Sequence, residues 1–355
     1  MGKRAKEGPT YKVLVQMAIP ALREAERQCP RQGPGAKPVI AEWIIAALIM
    51  IAVLSRRKSK SAQYRFLCAK RTEIAKWLGT KQFPARSGYF RRYRRAYPVY
   101  QEAVRLQGLQ AIKENVADPT HVAVDKSLIA TRGDPWHQSD RRAGKQPPGV
   151  DVAAAWGYSE HDQWVYGYSY EVVVSATAGT TVFPFLASAD TASACETKTF
   201  MDKTTQLPVP TKSVSADAGY DANHLGESIE YDSEDRRTGR RFLCPENPRN
   251  AGRPKTKPSG ADASRAKSRR RRAERRTYLE SPAGRRLYTR RKKTVEPFNQ
   301  WFKAMFELDQ RVWHRGLENN QTQFLASIFA YQLLARYNYR YGHKNGQLQW
   351  ILDAL

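Results

Sequence analysis

The chain has 355 residues, 41% of them hydrophobic, and a formal charge of +26 at neutral pH; it can build two or three domains with real cores, and a surface so positive expects a polyanion. Nucleic acid is the default partner and an anionic membrane surface the alternative. Four scattered cysteines (Cys29, Cys68, Cys195, Cys244) with no Cys-x-x-Cys pair argue against a zinc ribbon or disulfide framework and fit a reducing compartment, while the longest apolar run, Trp43 to Leu54, falls short of the roughly 20 residues of a membrane span.

The basic start, Met1 to Lys6, is followed by no apolar signal core. Tyr11 to Arg27 has the spacing of an amphipathic helix, and Pro- and Gly-rich sequence follows from Pro30 to Pro38. Trp43 to Leu54 reads as a core helix. Arg65 to Leu78 carries Phe66, Leu67, Ile74, Trp77 and Leu78 near one face, with Gly79 placed to cap it. Ser87 is a fair N-cap for a helix whose Arg91, Arg92, Arg94 and Arg95 interleave with aromatics. Helix, short turn and basic helix together predict a helix-turn-helix-like DNA reader; a small helical domain with solvated arginines is the plainer reading.

From Asp118 the pattern changes to strands. His121 to Ala130 reads as a buried strand with one carboxylate, Asp125, in its middle. A charge there is costly unless a cation or donors compensate it; Asp125 either marks a solvated strand end or is a metal ligand with partners elsewhere. Arg132 to Val150 is loop-like. Asp151 to Tyr158, Trp164 to Ser175 and Thr180 to Ala187 read as three antiparallel strands in a meander. Thr191 to Gln206 looks helical and is stopped by Leu207-Pro208-Val209-Pro210. Ser213 to Asp221 is a short strand ending on Asp217 and a Gly turn. The crossover helix lets it lie parallel to the Asp125 strand, so that two aspartates project side by side.

Asp235 to Lys293 is crowded with arginine and lysine, including Arg269, Arg270, Arg271 and Arg272. It reads as an electrostatic arm on a phosphate backbone or as a solvated charge run. Val295 to Phe306 is a helix with an apolar stripe, opened by Glu296 and Pro297, and Phe324 to Leu334 is a final apolar helix packing on the sheet. Asp125, Asp217 and Glu296 together form a hard-oxygen set suited to Mg²⁺ or Mn²⁺, two ions per site, for phosphoryl transfer.

Val122-Ala123-Val124-Asp125, Trp164 to Tyr168, Ala216-Asp217-Ala218-Gly219-Tyr220-Asp221 and the block from Ser281 to Phe298 with Lys303 resemble, in order and spacing over about residues 118 to 335, bacterial insertion-sequence transposases of the Asp-Asp-Glu class. The resemblance implies a ribonuclease H-like mixed sheet flanked by helices, with Asp125, Asp217 and Glu296 as catalytic metal ligands. It implies terminal-repeat and target DNA as partners, a homodimer on DNA, and a cytoplasmic, nucleoid-associated protein. The domains would be a helical DNA-binding region (1–117), the catalytic domain (118–234 and 284–355) and a basic insertion (235–283). Lys303 would contact DNA near the cut. The family's Tyr and Arg before the Glu fall out of step: Lys292 stands at the usual Arg spacing, Arg291 is adjacent, and Tyr288 is one position off. Lys126 stands where a small residue is frequent; it could weaken metal binding or point away along the alternating strand.

Overall fold

The computed structural model describes residues 9–30, 38–248, 263–341 and 348–355. Five helices, α1 (Tyr11–Gln28), α2 (Glu42–Leu54), α3 (Lys60–Ala69), α4 (Arg71–Leu78) and α5 (Arg86–Tyr93), precede α6 (Tyr97–Lys113). The Thr10 hydroxyl caps α1 through the Val13 amide, and α2 is buried on every side, as its unbroken apolar run requires. The expected single helix over Arg65 to Leu78 is two. The chain breaks at Lys70, and Gly79 ends α4 in the left-handed conformation at φ 63°. Ser87 lies inside α5 rather than at its cap, which falls on Ala85, and Arg94 and Arg95 lie beyond the helical residues.

The sheet is built from β1 (His121–Ala130), β2 (Ala155–Ser159), β3 (Gln163–Ser175), β4 (Pro184–Thr191), β5 (Ser213–Ser215) and β6 (Arg241–Leu243). A short helix, α7 (Gln138–Arg142), precedes β2; α8 (Glu196–Thr204) and α9 (Asn223–Glu230) flank β5. Antiparallel pairing joins β1 to β3 and β3 to both β2 and β4; parallel pairing joins β1 to β5 and β5 to β6. This is the mixed sheet that the ribonuclease H-like expectation requires, with β1 at the change from antiparallel to parallel neighbours. The meander's last strand starts at Pro184 rather than Thr180. β6, inside the stretch read as a basic arm, is instead an edge strand.

After the basic stretch come α10 (Ala263–Glu280), α11 (Pro282–Lys292) and α12 (Val295–Met305), then the long α13 (Leu317–Arg340) and the short α14 (Gln349–Asp353). α13 packs on β3 and β4 from one side and on α2 and α6 from the other, so helices α1 to α6 share one continuous core with the sheet. Gln332, fully buried on α13, ties the two together by donating to the Val104 carbonyl of α6 and the Pro184 carbonyl of β4. No helix among the described residues is long and apolar enough to cross a membrane.

Candidate active site

Three elements deliver the three expected carboxylates to one place. Asp125 is central in β1, opposite Val172 of β3. Asp217 follows β5, whose parallel register with β1 (Val122 beside Val214, Ala123 beside Ser215) brings the two aspartates side by side. There the Asp217 side chain accepts a hydrogen bond from the Gly219 amide at 2.8 Å, forming the turn. Gly219 also leaves room for the Glu196 carboxylate, which would have to shift to admit a Cβ there. Glu296 opens α12, held against the sheet by the buried Val295, Phe298 and Phe302.

The carboxylates converge on one guanidinium. Arg291 Nη2 lies 2.7 Å from Asp125 and 3.5 Å from Asp217, and Nη1 lies 3.0 Å from Glu296. Asp125 is the buried member; the side chains of Asp217 and Glu296 remain 42% and 47% exposed, so the cluster opens to solvent on their side. Burial pushes the Asp125 carboxyl up to about 7 against the pull of Arg291, with the Asp217 charge adding to the rise. Burial lowers the Arg291 guanidinium, but Asp125 and Asp217 outweigh it and raise it overall. Glu196, the first residue of α8, brings a fourth acid to the border of the cluster, raised by burial and then by Asp217.

Asn299, one turn after Glu296, donates to the second Asp125 oxygen at 2.8 Å and accepts from the Tyr170 hydroxyl at 3.1 Å. Neither Asn299 nor Tyr170 is among the candidates that the sequence offers. The signal was available, since positions three apart on a helix share a face. Lys126 points to the opposite face, donating to the carbonyls of Ala192 and Ala194, 3.8 Å from Glu196; of the two options for this lysine, the structure shows the one in which it points away from Asp125 along the alternating strand.

The other predicted DNA-binding residues divide. Lys303 donates to the Leu128 carbonyl of β1 at 2.9 Å, and burial lowers its ammonium. Arg291, not Lys292, enters the cluster, and Lys292 is exposed. Tyr288, half-buried one turn before Arg291, is raised by burial against the pull of that arginine. Tyr288 and Arg291 are out of step together because α11 ends at Lys292 and α12 begins at Val295. On α5, Arg92 is held by Glu42 at 2.9 Å, whereas Arg91, Arg94 and Arg95 are exposed. On α10, Arg271 is buried against Tyr231 at 3.4 Å and pairs with Asp235, as Lys267 does. Arg272 pairs with Asp221 at 2.6 Å, leaving Arg269 and Arg270 facing outward. The expected phosphate clamp of four arginines is therefore half a structural lock, because acids from distant sequence meet the helix.

Three hard carboxylates around one positive charge are the donor set of a divalent cation site. Among the described residues, no group of three or more side chains is already arranged to hold an ion; the guanidinium occupies the shared position. Its Nε is buried with no hydrogen-bond partner among the described residues, so the three acids are what hold it. The donor chemistry thus fits a metal, on condition that Arg291 yields the shared position.

A transposase DDE domain model matches residues 117–333. No curated protein matches the chain. Among solved structures, the chain is similar to a piggyBac transposase synaptic complex with hairpin DNA, at 11% identity and a TM-score of 0.44, over 99% of this chain and 81% of that one.

Proposed function

The chain belongs to the transposase DDE domain family, and from that premise we propose that Asp125, Asp217 and Glu296 are the catalytic carboxylates of a DNA transposase encoded by a bacterial insertion sequence. The observation that carries this reading is their convergence, from three elements, on a single cation position at Arg291. Family members of this kind are metal-dependent; here Mg²⁺ or Mn²⁺, two ions per site, would be held by the three carboxylates. When bound, such ions activate the attacking oxygen and stabilise the leaving one.

The chain's own residues divide the remaining work. Asn299 and Tyr170 hold the Asp125 carboxylate in one orientation. Lys303, Lys292 and Tyr288 border the cluster and position the DNA backbone, as Arg291 does once released, while Arg91, Arg94, Arg95, Arg269 and Arg270 extend the contact. Water attacks the scissile phosphate, the bond to the 3′ oxygen breaks, and that oxygen leaves as a 3′-hydroxyl. The hydroxyl then attacks a target phosphodiester in line at the same site, with no covalent enzyme intermediate and no nucleotide cofactor. Double-stranded DNA, as terminal repeats and target, is the substrate, bound by a homodimer in the cytoplasm at the nucleoid.

Incubating a labelled DNA end bearing a 3′-hydroxyl with plasmid and Mg²⁺ tests the reading. Joined products are expected; nicks alone would make the chain a structure-selective nuclease of the same fold. The closure of the carboxylates by Arg291 favours a second reading, a DNA-binding derivative without catalysis. Calorimetric titration with Mn²⁺ separates the two, since a carboxylate-dependent binding isotherm, absent in Asp217→Ala, excludes the derivative.

A further inference from the structure

Away from the carboxylates, cations collect where α3 meets the turn between α12 and α13. A cavity of about 520 Å³ there is lined by residues including Lys60, Arg132, Trp313, Arg315 and Asn319. Lys60 donates to the Asn319 side chain at 2.9 Å, and Arg132 donates to the Trp313 carbonyl at 3.3 Å. Arg315 is exposed and lies against Gly149, where an added Cβ would stand 3.4 Å from its guanidinium. None of the three has a carboxylate within 4.0 Å among the described residues. The buried indole N–H of Trp313 has no partner among those residues either.

The surrounding groups register the unbalanced charge. His314, buried beside the cavity and bonded to the Tyr93 hydroxyl at 3.1 Å, is pushed down to about 3 by burial and then by Lys60 and Arg132. Lys60 is itself lowered by burial and then by Arg94. Cations gathered in a concave site without a counter-charge repel one another unless an anion enters. Two planar forks and a point ammonium are the donor set of a phosphate group.

The cavity is also in line with the carboxylates. Arg132 continues the chain of β1 seven residues beyond Asp125, a distance of roughly 23 Å at strand spacing. Between them, Lys303 reaches the Leu128 carbonyl and Arg311 approaches the Arg132 carbonyl at 3.5 Å. We propose that this cavity seats one backbone phosphodiester of bound DNA, about seven base pairs from the bond being cut. The assignment rests on the reading of the chain as a DNA transposase. It gives the N-terminal helices a fixed contact with the strand that the carboxylates cut.

The test measures binding of the full chain to a random-sequence 40-base-pair duplex across a salt series, with Lys60→Gln/Arg132→Gln/Arg315→Gln against a control of equal charge loss, Lys12→Gln/Lys76→Gln/Lys113→Gln, whose residues do not line the cavity. The slope of log K against log salt should shrink by about 0.9 in the cavity variant, the value for one phosphate, and by less than half that in the control. Equal slopes in the two variants would overturn the proposal. Should Lys60→Gln unfold the chain, as thermal melting would reveal, the exposed pair Arg132→Gln/Arg315→Gln carries the same expectation and the same overturning result. A parent chain that neither binds the duplex nor cleaves DNA would sink the transposase reading instead, an outcome distinct from an unchanged slope in a parent that does both.

Discussion

Neighbouring residues of β1 send charges to opposite faces of the sheet, and the two faces treat charge differently. On the Asp125 face, three acids share one guanidinium, and two of them stay open to solvent. On the Lys126 face, two lysines meet two glutamates. Glu171, paired across the strands with Lys126, is held by Lys203 at 2.6 Å, Thr199 at 2.8 Å and the Tyr220 hydroxyl at 2.9 Å, with both ends of its ion pair no more than 5% exposed. One face is balanced and saturated; the other carries an excess of negative charge that a single arginine cannot neutralise. A saturated network fixes a fold, whereas an excess of acid keeps an affinity for further cations.

The sharpest way to break this contrast is to remove one acid from each side. Asp217→Ala should lower DNA cleavage by more than about 10³-fold, as expected when several kcal/mol of transition-state charge stabilisation are lost. Duplex binding should stay within a few-fold, and gel-resolved cleavage beside an equilibrium binding curve reads both. Glu171→Gln should instead leave cleavage chemistry alone and cost about 3–5 kcal/mol of stability, because Lys203 is left buried without its counter-charge; urea unfolding measures it. A Glu171→Gln chain as stable as the parent would mean that the balanced face is not structural.

A smaller effect sharpens the picture of the open face. Asn299→Ala frees one Asp125 oxygen and should cut activity by about 10- to 100-fold, the usual cost of losing a group that orients a ligand. Its Mn²⁺ affinity should weaken in step, while the melting curve moves little.

The smallest effect is a pH dependence with opposite sign to ordinary ion pairs. Burial holds Asp125 at about 7 in the folded chain, above the usual carboxylate value near 3.9. Between those limits the folded chain keeps a proton that the unfolded chain has lost, so stability falls as pH rises through the window. Asp125→Asn should flatten that slope, melting about 2–4 °C above the parent at pH 8 and level with it near pH 4; calorimetric scans at the two pH values decide it.

Much of this was legible in the residues, for identifiable reasons. β1 announced itself through β-branched residues around one charge, and the parallel placement of β5 followed from the helix between them. The site was less legible where it depended on helix ends. The family's spacing before the Glu points to Lys292, but the chain breaks between α11 and α12, and Arg291 turns inward. Arg271 and Arg272 read as DNA contacts because Asp235 and Asp221, which hold them, lie far away in sequence. β6 was hidden in a basic stretch because three residues are too few to show alternation. The union of the N-terminal helices with the sheet was invisible for a related reason: Gln332 bonds to two carbonyls that only the fold brings together.

One corner of the molecule carries a mechanical consequence. A single residue, Ser281, separates α10 from α11, and its hydroxyl clasps the Gly284 amide at 3.1 Å. Gly284 is packed so tightly on the Tyr278 carbonyl that a Cβ would stand 2.0 Å from it. The two helices are therefore joined in a fixed bend, with Arg269 and Arg270 facing outward on α10 and Arg291 near the end of α11. Glu296 lies past the next bend, bolted to the core by Phe298 and Phe302. Arg291 and Glu296 thus stand on separate helices, so the guanidinium and the carboxylate it pairs with reach the cluster from independent supports.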